Sequence, residues 1–167
     1  LYSAMSNSSL TSEEGLGDPF HKDLTLDKDF LTIPTQAGII TDQHLIERDR
    51  MGRTVAFLAR LVHDGWTAQG RAIAADRETA VHVDPELGTA VVFTTPDHPT
   101  PYVYFMEPAG PPVRCQPGQP LTSAAISVQR LGPGERFNLR IWQASGGISY
   151  ELRAETGVLQ SSRESNY

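Results

Sequence analysis

A single stretch of apolar residues at helical spacing limits what this chain can fold into. Its side chains recur along one helix face, and Gly65, a residue type that often ends helices, follows closely. They are Met51, Val55, Leu58 and Val62. The spacing predicts a helix over about residues 46–63, with no equally strong helix elsewhere in the chain.

Beyond Gly65 the sequence takes on the pattern of strands. Short apolar runs are broken by turn-forming segments in RAIAADRETAVHVDPELGTAVVF. The segment YVYFM at 102–106 predicts another strand, and LTSAAISVQRL, RFNLRIW and ISYEL alternate in the same way. Before the helix, AGIIT at 37–41 predicts a buried strand. The polar residues 1–20 predict a loop with a short helix near Thr11–Leu16, where acids follow a helix-starting Thr.

These patterns predict an α/β fold in one domain over residues 1–167. Residues 1–65 form its α/β part and residues 66–167 its β-rich part. The net charge of −6 argues against non-specific binding to nucleic acid, which requires a basic face. No run approaches the roughly 20 apolar residues of a membrane helix. The one cysteine, Cys115, allows neither an internal disulfide nor a cysteine-based metal cluster. The chain carries no targeting segment, which leaves a cytoplasmic or a secreted location open.

The stretch TDQHLIERDRMGR at 41–53 holds the densest group of chemically active side chains. His44 directly follows the strand pattern, and the carboxyl ends of strands are where ligands and catalytic groups gather in α/β sheets. A histidine there can act as a general base, because imidazole titrates near neutral pH. A loop histidine without a catalytic role fits the local pattern equally well.

Three arginines in the same stretch stand at the predicted helix start, where the helix dipole disfavours cations. They are Arg48, Arg50 and Arg53. Their placement favours a purpose other than helix stability, such as holding a carboxylate ligand with paired hydrogen bonds. The alternative is a solvated face on which Glu47 and Asp49 neutralise two of the charges.

The same stretch resembles the cyanophycinase family of serine peptidases. That family carries an Asp-Gln-His-Phe-type segment followed by an Arg-x-Arg-x-Gly-Arg pattern. Here these are Asp42-Gln43-His44-Leu45, with Leu45 in place of the usual aromatic residue, and Arg48-Asp49-Arg50-Met51-Gly52-Arg53. The similarity continues through TVAFLARLV and, more weakly, through LTSEEGLGDPFHKDLTLDKDFLTIP and the tail GGISYEL…GVL. The resemblance implies a class I glutamine amidotransferase-like, flavodoxin-like α/β fold.

The resemblance also implies an activity and a set of roles. Members are serine-type exopeptidases, hydrolases that need no cofactor or metal and that cleave β-aspartyl-arginine (cyanophycin-like) peptides. His44 matches the general base, and the carboxylate that orients it corresponds to Glu14 or, as the second choice, Glu13. The residues that correspond to the substrate contacts are Asp42, Gln43, Arg48, Arg50 and Arg53.

One element of the family pattern is absent from these residues. The nucleophile of the family stands in a Gly-x-Ser-Ala-Gly turn, whose sharp bend exposes the serine and forms an oxyanion hole. No Gly-x-Ser-x-Gly occurs in the sequence. We therefore expect the nucleophile a few residues before Leu1, an N-terminal part as partner, and little peptidase activity from residues 1–167 alone. Sheet edges left uncovered would favour association, including a homodimer.

Two alternatives to a cyanophycinase-type enzyme remain at this stage. One is a non-catalytic module that binds acidic or polymeric ligands through the His–Arg stretch. The other is a related dipeptidase that acts on ordinary peptides with an N-terminal Asp. A Gly-x-Ser-x-Gly encoded before Leu1 would favour an enzyme, and the shape of the pocket decides between the two enzymes.

Overall fold

Strands make up most of the regular structure of this chain. The computed structural model describes residues 2–6, 10–28 and 31–167, the first of these ranges by its backbone alone. Within them, two sheets and two short α-helices form a mixed α/β fold, which confirms the predicted class at this level. Among these residues no helix is long and apolar enough to cross a membrane.

The helices and strands follow one another along the chain. In order they are β1 (Tyr2–Ser6), α1 (Ser12–Gly17), β2 (Leu24–Lys28), a 3₁₀ turn (Pro34–Gln36), β3 (Ile39–Gln43), α2 (Met51–His63), β4 (Arg71–Ala75), β5 (Thr79–Asp84), β6 (Thr89–Thr94), β7 (Val103–Pro108), β8 (Ile126–Leu131), β9 (Arg136–Asn138), β10 (Gln143–Ala144), β11 (Ile148–Glu155) and β12 (Val158–Ser161).

The larger sheet has eight strands in the order β12-β11-β8-β7-β4-β3-β1-β2. Strands β1, β3 and β4 run parallel, as expected for strands joined through a helix, and the remaining neighbours are antiparallel. The sheet therefore contains strands from both the α/β part and the β-rich part of the sequence. A smaller antiparallel sheet has the order β10-β9-β6-β5.

Each face of the large sheet packs into a separate apolar core. One core contains the buried faces of both helices, including Leu16, Val55 and Leu58, together with Tyr104 and Val128 of the sheet. The other core lies between the two sheets. Its side chains are Ile39, Ile73, Val103, Phe105 and Leu131 from the large sheet and Ala90, Val92 and Phe137 from the small one. The strands alternate accordingly, so that Ile39 and Ile40 enter opposite cores.

The N-terminal segment is more ordered than a loop. The predicted short helix is confirmed as α1, and its N-cap Thr11 forms a capping box with Glu14. The loop prediction is wrong over residues 2–6, because β1 pairs antiparallel with β2 and parallel with β3. Residues 7–9, within the same predicted loop, lie outside the described part of the chain. The strand predicted at 37–41 is confirmed two residues further on, as β3.

Helix α2 begins at Met51, so the prediction of a start near residue 46 is wrong by five residues. Residues 45–49 form turns instead, and the N–H of Arg50 donates to the carbonyl of Leu45 (2.8 Å). Because Arg50 offers no side-chain cap, Ser12 of α1 caps α2, with its Oγ accepting from the N–H of Gly52 (2.9 Å). A Cβ on Gly52 would lie 2.7 Å from the side chains of Ser12 and Leu16, so only glycine permits this approach.

Candidate active site

An open pocket lies where the parallel strands β3 and β4 end. Its volume is about 450 Å³. Its wall consists of Thr41, Asp42, Gln43, His44, Ile73, Ala75, Asp76, Arg77, Glu78, Thr79, Ala80 and Val81. Because β3 and β4 run in the same direction, their carboxyl ends bring the residues that follow each strand to one edge of the sheet. This is the position that the sequence predicted for His44.

His44 leaves β3 through an unusual backbone conformation. Its φ is +55°, in the left-handed region that non-glycine residues seldom adopt. The next residue returns to the sheet, since the N–H of Leu45 donates to the carbonyl of Ala75 (3.2 Å). About a third of the His44 side chain is exposed (34%). The turn thus presents the imidazole at the pocket instead of burying it in the core.

Glu47 holds the imidazole of His44. The Nδ1 atom of His44 lies 2.6 Å from Oε2 of Glu47, three residues further on. The hydrogen bond with His44, with smaller contributions from the charges of Arg77, His44 and Arg48, lowers the pKa of Glu47 below its usual value. The carboxylate therefore stays ionised at and above the usual glutamate pKa of 4.5. Its pairing with His44 is lost only when the pH falls through the lowered pKa of Glu47. Nε2 of His44 is the nitrogen left for proton transfer.

The structure does not bring the predicted Glu14 or Glu13 to His44. The carboxylate of Glu14 accepts from the N–H (2.9 Å) and hydroxyl (3.1 Å) of Thr11, which lowers its pKa and closes the capping box. Glu13 is an exposed residue in the first turn of α1, and neither glutamate lines the pocket. Glu14 therefore caps α1 and does not orient His44. The carboxylate that contacts the imidazole is that of Glu47.

In the serine peptidase that the resemblance implies, replacing Glu47 with Gln is expected to lower kcat by about 10²-fold. A buried orienting acid contributes about 10⁴ in serine proteases. We expect less here because the pair is more than a third exposed and water can replace part of the contact. The measurement is steady-state hydrolysis of β-Asp-Arg. Glu13→Gln is the control, since Glu13 is an exposed glutamate of α1 that neither lines the pocket nor contacts His44. Equal losses in the two variants would contradict the orienting role.

Asp42 forms the centre of a buried hydrogen-bond network beneath the pocket. It is 6% exposed. Arg53 donates to both of its carboxylate oxygens, from Nε (2.9 Å) and from Nη2. Thr54 Oγ1 donates to Oδ2 (2.9 Å), and the N–H of Gln43 donates to Oδ1 (2.8 Å). The sequence predicted that the arginines hold a ligand carboxylate through a two-pronged contact, but for Arg53 the carboxylate in that contact is Asp42 of the protein itself.

The three predicted arginines therefore differ in their surroundings. Arg53 is 4% exposed and Arg50 is 6% exposed. The Nη1 atom of Arg50 donates to the carbonyl of Gln43 (2.8 Å) and lies 4.0 Å from Asp42. Burial, together with the charge of Arg53, lowers the pKa of Arg50. Arg48 is exposed, and none of the three lines the pocket. Of the predicted substrate contacts, Asp42 and Gln43 lie in the pocket wall.

Two residues at the end of β4 belong to the site and were missed. The Oδ1 atom of buried Asp76 accepts from the N–H groups of Ile46 and Glu47 (both 3.1 Å), and Oδ2 accepts from the hydroxyl of Thr100. Burial opposes its ionisation, but these hydrogen bonds lower its pKa overall. Asp76 thereby fixes the turn that carries Glu47. Arg77 beside it lines the pocket with its side chain 51% exposed. Their position directly after the RAIAA strand was the available signal.

The arrangement of His44 and Glu47 at the pocket suits proton transfer. Among the described residues, no group of three or more His, Cys, Asp or Glu side chains could hold a metal ion. No protein-family model matches the chain, and no curated protein matches it. Two features of the molecule therefore bear on its function, the motif at 42–53 and the geometry of the pocket around His44.

Proposed function

We propose that this chain is the histidine-bearing part of a serine-type exopeptidase of the cyanophycinase type. The observation that carries the proposal is the His44–Glu47 pair (2.6 Å), placed in a pocket at the carboxyl ends of two parallel strands. A base with one ring nitrogen held by a carboxylate and the other left for substrate is the arrangement that activates a serine. We further propose that β1, β3 and β4 belong to a class I glutamine amidotransferase-like sheet.

The proposed reaction uses a serine encoded ahead of Leu1. Nε2 of His44 accepts the hydroxyl proton as the serine oxygen attacks the scissile carbonyl, and the imidazolium then gives that proton to the leaving amine. Water attacks the resulting ester with His44 again as the base, which frees the acid product and restores the serine. Glu47 stabilises the imidazolium in both steps.

The preferred substrate in this proposal is a β-aspartyl-arginine peptide. Such a substrate carries carboxylates, for which Arg77 offers an exposed cation at the pocket wall. It also carries a guanidinium, for which the acidic residues of the wall are suitable partners, Glu78 above all because it is exposed. The binding-module alternative depends on the arginine cluster, yet two of its three members are buried against Asp42. The enzyme is therefore the better-supported proposal.

The complete encoded protein is expected to release aspartate and arginine from β-Asp-Arg. Chromatography of the free amino acids gives the rate, and a fluorophosphonate should inactivate the enzyme at one equivalent. The control substrate is the ordinary α-linked Asp-Arg, which should be cleaved more slowly. A preference for the α-linked peptide would instead support the aspartyl dipeptidase. If neither peptide is cleaved and no serine reacts, the proposed function is wrong.

A further inference from the structure

Strand β5 (Thr79–Asp84) leaves one of its edges unpaired beside the pocket. It is the last strand of the small sheet, and among the described residues it pairs with β6 alone. The pocket wall includes Thr79, Ala80 and Val81 from this strand, together with His44 at the end of β3. An unpaired edge and the candidate base therefore border the same space.

The register of the small sheet shows which groups of β5 point outward. The N–H of Thr95 donates to the carbonyl of Glu78 (3.2 Å), which makes these two a hydrogen-bonded pair just before the strand. Such pairs alternate along an antiparallel ladder. Ala80, His82 and Asp84 therefore bond toward β6, opposite Phe93, Val91 and Thr89. The residues between them, Thr79, Val81 and Val83, direct their N–H and C=O groups to the open edge.

Hydrogen bonds on the far side of β6 agree with this assignment. Val92 is the partner of Val81 in the register. Its N–H donates to the carbonyl of Glu135 (3.2 Å), and its carbonyl accepts from the N–H of Gly134 (2.9 Å), so both groups point away from β5. No described residue forms a backbone hydrogen bond with the outward groups of Thr79, Val81 or Val83.

The open edge also lacks the usual protection against strand pairing. Natural edge strands are commonly blunted by Lys, by Pro or by a bulge. The sequence of β5, TAVHVD, contains neither residue, and its pairing with β6 is continuous over all six positions. The side chains of Val81 and Val83 pack into the core between the sheets, which holds the strand in place. Its outer edge is thus unpaired among the described residues and offers backbone groups to a further strand.

We infer that the substrate binds by adding its main chain to β5 as an extended strand, which brings a β-aspartyl-arginine linkage carried by that strand to His44. Strand addition supplies main-chain hydrogen bonds that do not depend on side chains. The inference names the substrate class of the site, a peptide with at least three residues of extended α-linked backbone, and it depends on the proposed function only for calling that peptide a substrate. It predicts that such oligomers bind more tightly than a free dipeptide.

Amide hydrogen exchange on the complete protein carrying His44→Ala tests the inference without turnover. The probe is a five-residue aspartyl peptide with Arg on each side-chain carboxyl. We expect binding to protect the amides of Thr79, Val81 and Val83, while those of Ala80 and His82 are already protected. Binding without this alternation, or no binding, overturns the inference. Protection that already exists without peptide and increases with protein concentration also overturns it, because the occupant is then a second copy.

A pair of substitutions at one position provides the matched control. Val81→Pro removes the outward N–H without touching the bonds to β6, and should weaken peptide binding about 10-fold, the upper range for one hydrogen bond. Val81→Ala keeps that N–H and should change affinity less than about 2-fold. Equal effects of the two would overturn the inference.

Methylation of the peptide's own amides gives the same information if Val81→Pro fails to fold. Methylation of alternate amides should weaken binding, and methylation of the amides between them should not. Uniform effects along the peptide would overturn the inference. Protection of β5 without hydrolysis by the unsubstituted protein would overturn the proposed function alone, and hydrolysis without protection would overturn this inference alone.

Discussion

Replacing His44 with Ala in the complete protein should lower kcat for β-Asp-Arg by about 10⁴-fold or more. Removing the base of a serine-type site abolishes both proton transfers, and general acid–base catalysis alone accounts for about 10² to 10⁴. KM should change little, because the imidazole contacts the reacting groups more than the rest of the substrate. Steady-state kinetics with detection of free arginine would measure both constants.

His63→Ala is the matched control for this loss. The Nδ1 atom of His63 lies 2.9 Å from Oδ1 of Asp64, so it too is a histidine paired with a carboxylate. It stands at the end of α2 and does not line the pocket. Its replacement should leave kcat within about 2-fold of the unsubstituted protein, since surface changes seldom affect a distant site. Activity retained within 10-fold in His44→Ala would rule out His44 as the base.

The position of His44 was predictable because it depends on local sequence. An apolar strand pattern before it and a helix pattern after it place a residue at the carboxyl end of a strand whatever the rest of the fold. The capping box of α1 is local in the same sense, since Thr11 and Glu14 are three residues apart. Features of this kind can be predicted from the spacing of the apolar residues and from the residue types at the helix ends.

The error at the start of α2 has a non-local cause. Residues 46–50 extend the helical pattern, but the N–H groups of Ile46 and Glu47 donate to Asp76, which lies 30 and 29 residues further along. The cap of the helix comes from Ser12 in α1. The turn at 45–49 also gives Glu47 its place beside His44, which a continuous helix from residue 46 would not predict. Contacts between distant segments therefore determine both where α2 begins and where Glu47 lies.

The burial of the arginines could not be predicted from the sequence either. Helical spacing shows that Arg50 and Arg53 share a face, but it does not show whether that face meets solvent or a buried carboxylate. The outcome depends on Asp42, which β3 places beneath the first turn of α2. The sequence predicted that the arginines bind an external anion, but two of them lie against the buried Asp42. Substitution of Asp42 is therefore expected to change the stability of the fold.

Replacing Asp42 with Ala should destabilise the fold by about 3–5 kcal/mol. The change removes the buried carboxylate that pairs with Arg53 and lies 4.0 Å from Arg50, and breaking a buried ion pair costs about this much. It also removes the acceptor for Thr54 and for the N–H of Gln43. A loss of this size is a large part of the roughly 5–15 kcal/mol by which domains are stable. Urea unfolding followed by circular dichroism would measure it.

Glu151→Ala removes an acid from an ion pair of the opposite kind. Glu151 lies in a strand, as Asp42 does, and its carboxylate is 3.8 Å from Arg153, but both side chains are more than half exposed. Solvent screens such pairs, so the expected loss is below about 1 kcal/mol. The double variant Asp42→Ala with Arg53→Met should recover part of the loss, because it removes both partners of the buried Asp42–Arg53 pair. If Asp42→Ala is no less stable than Glu151→Ala, then water reaches the arginines, and the cluster is open to a substrate carboxylate after all.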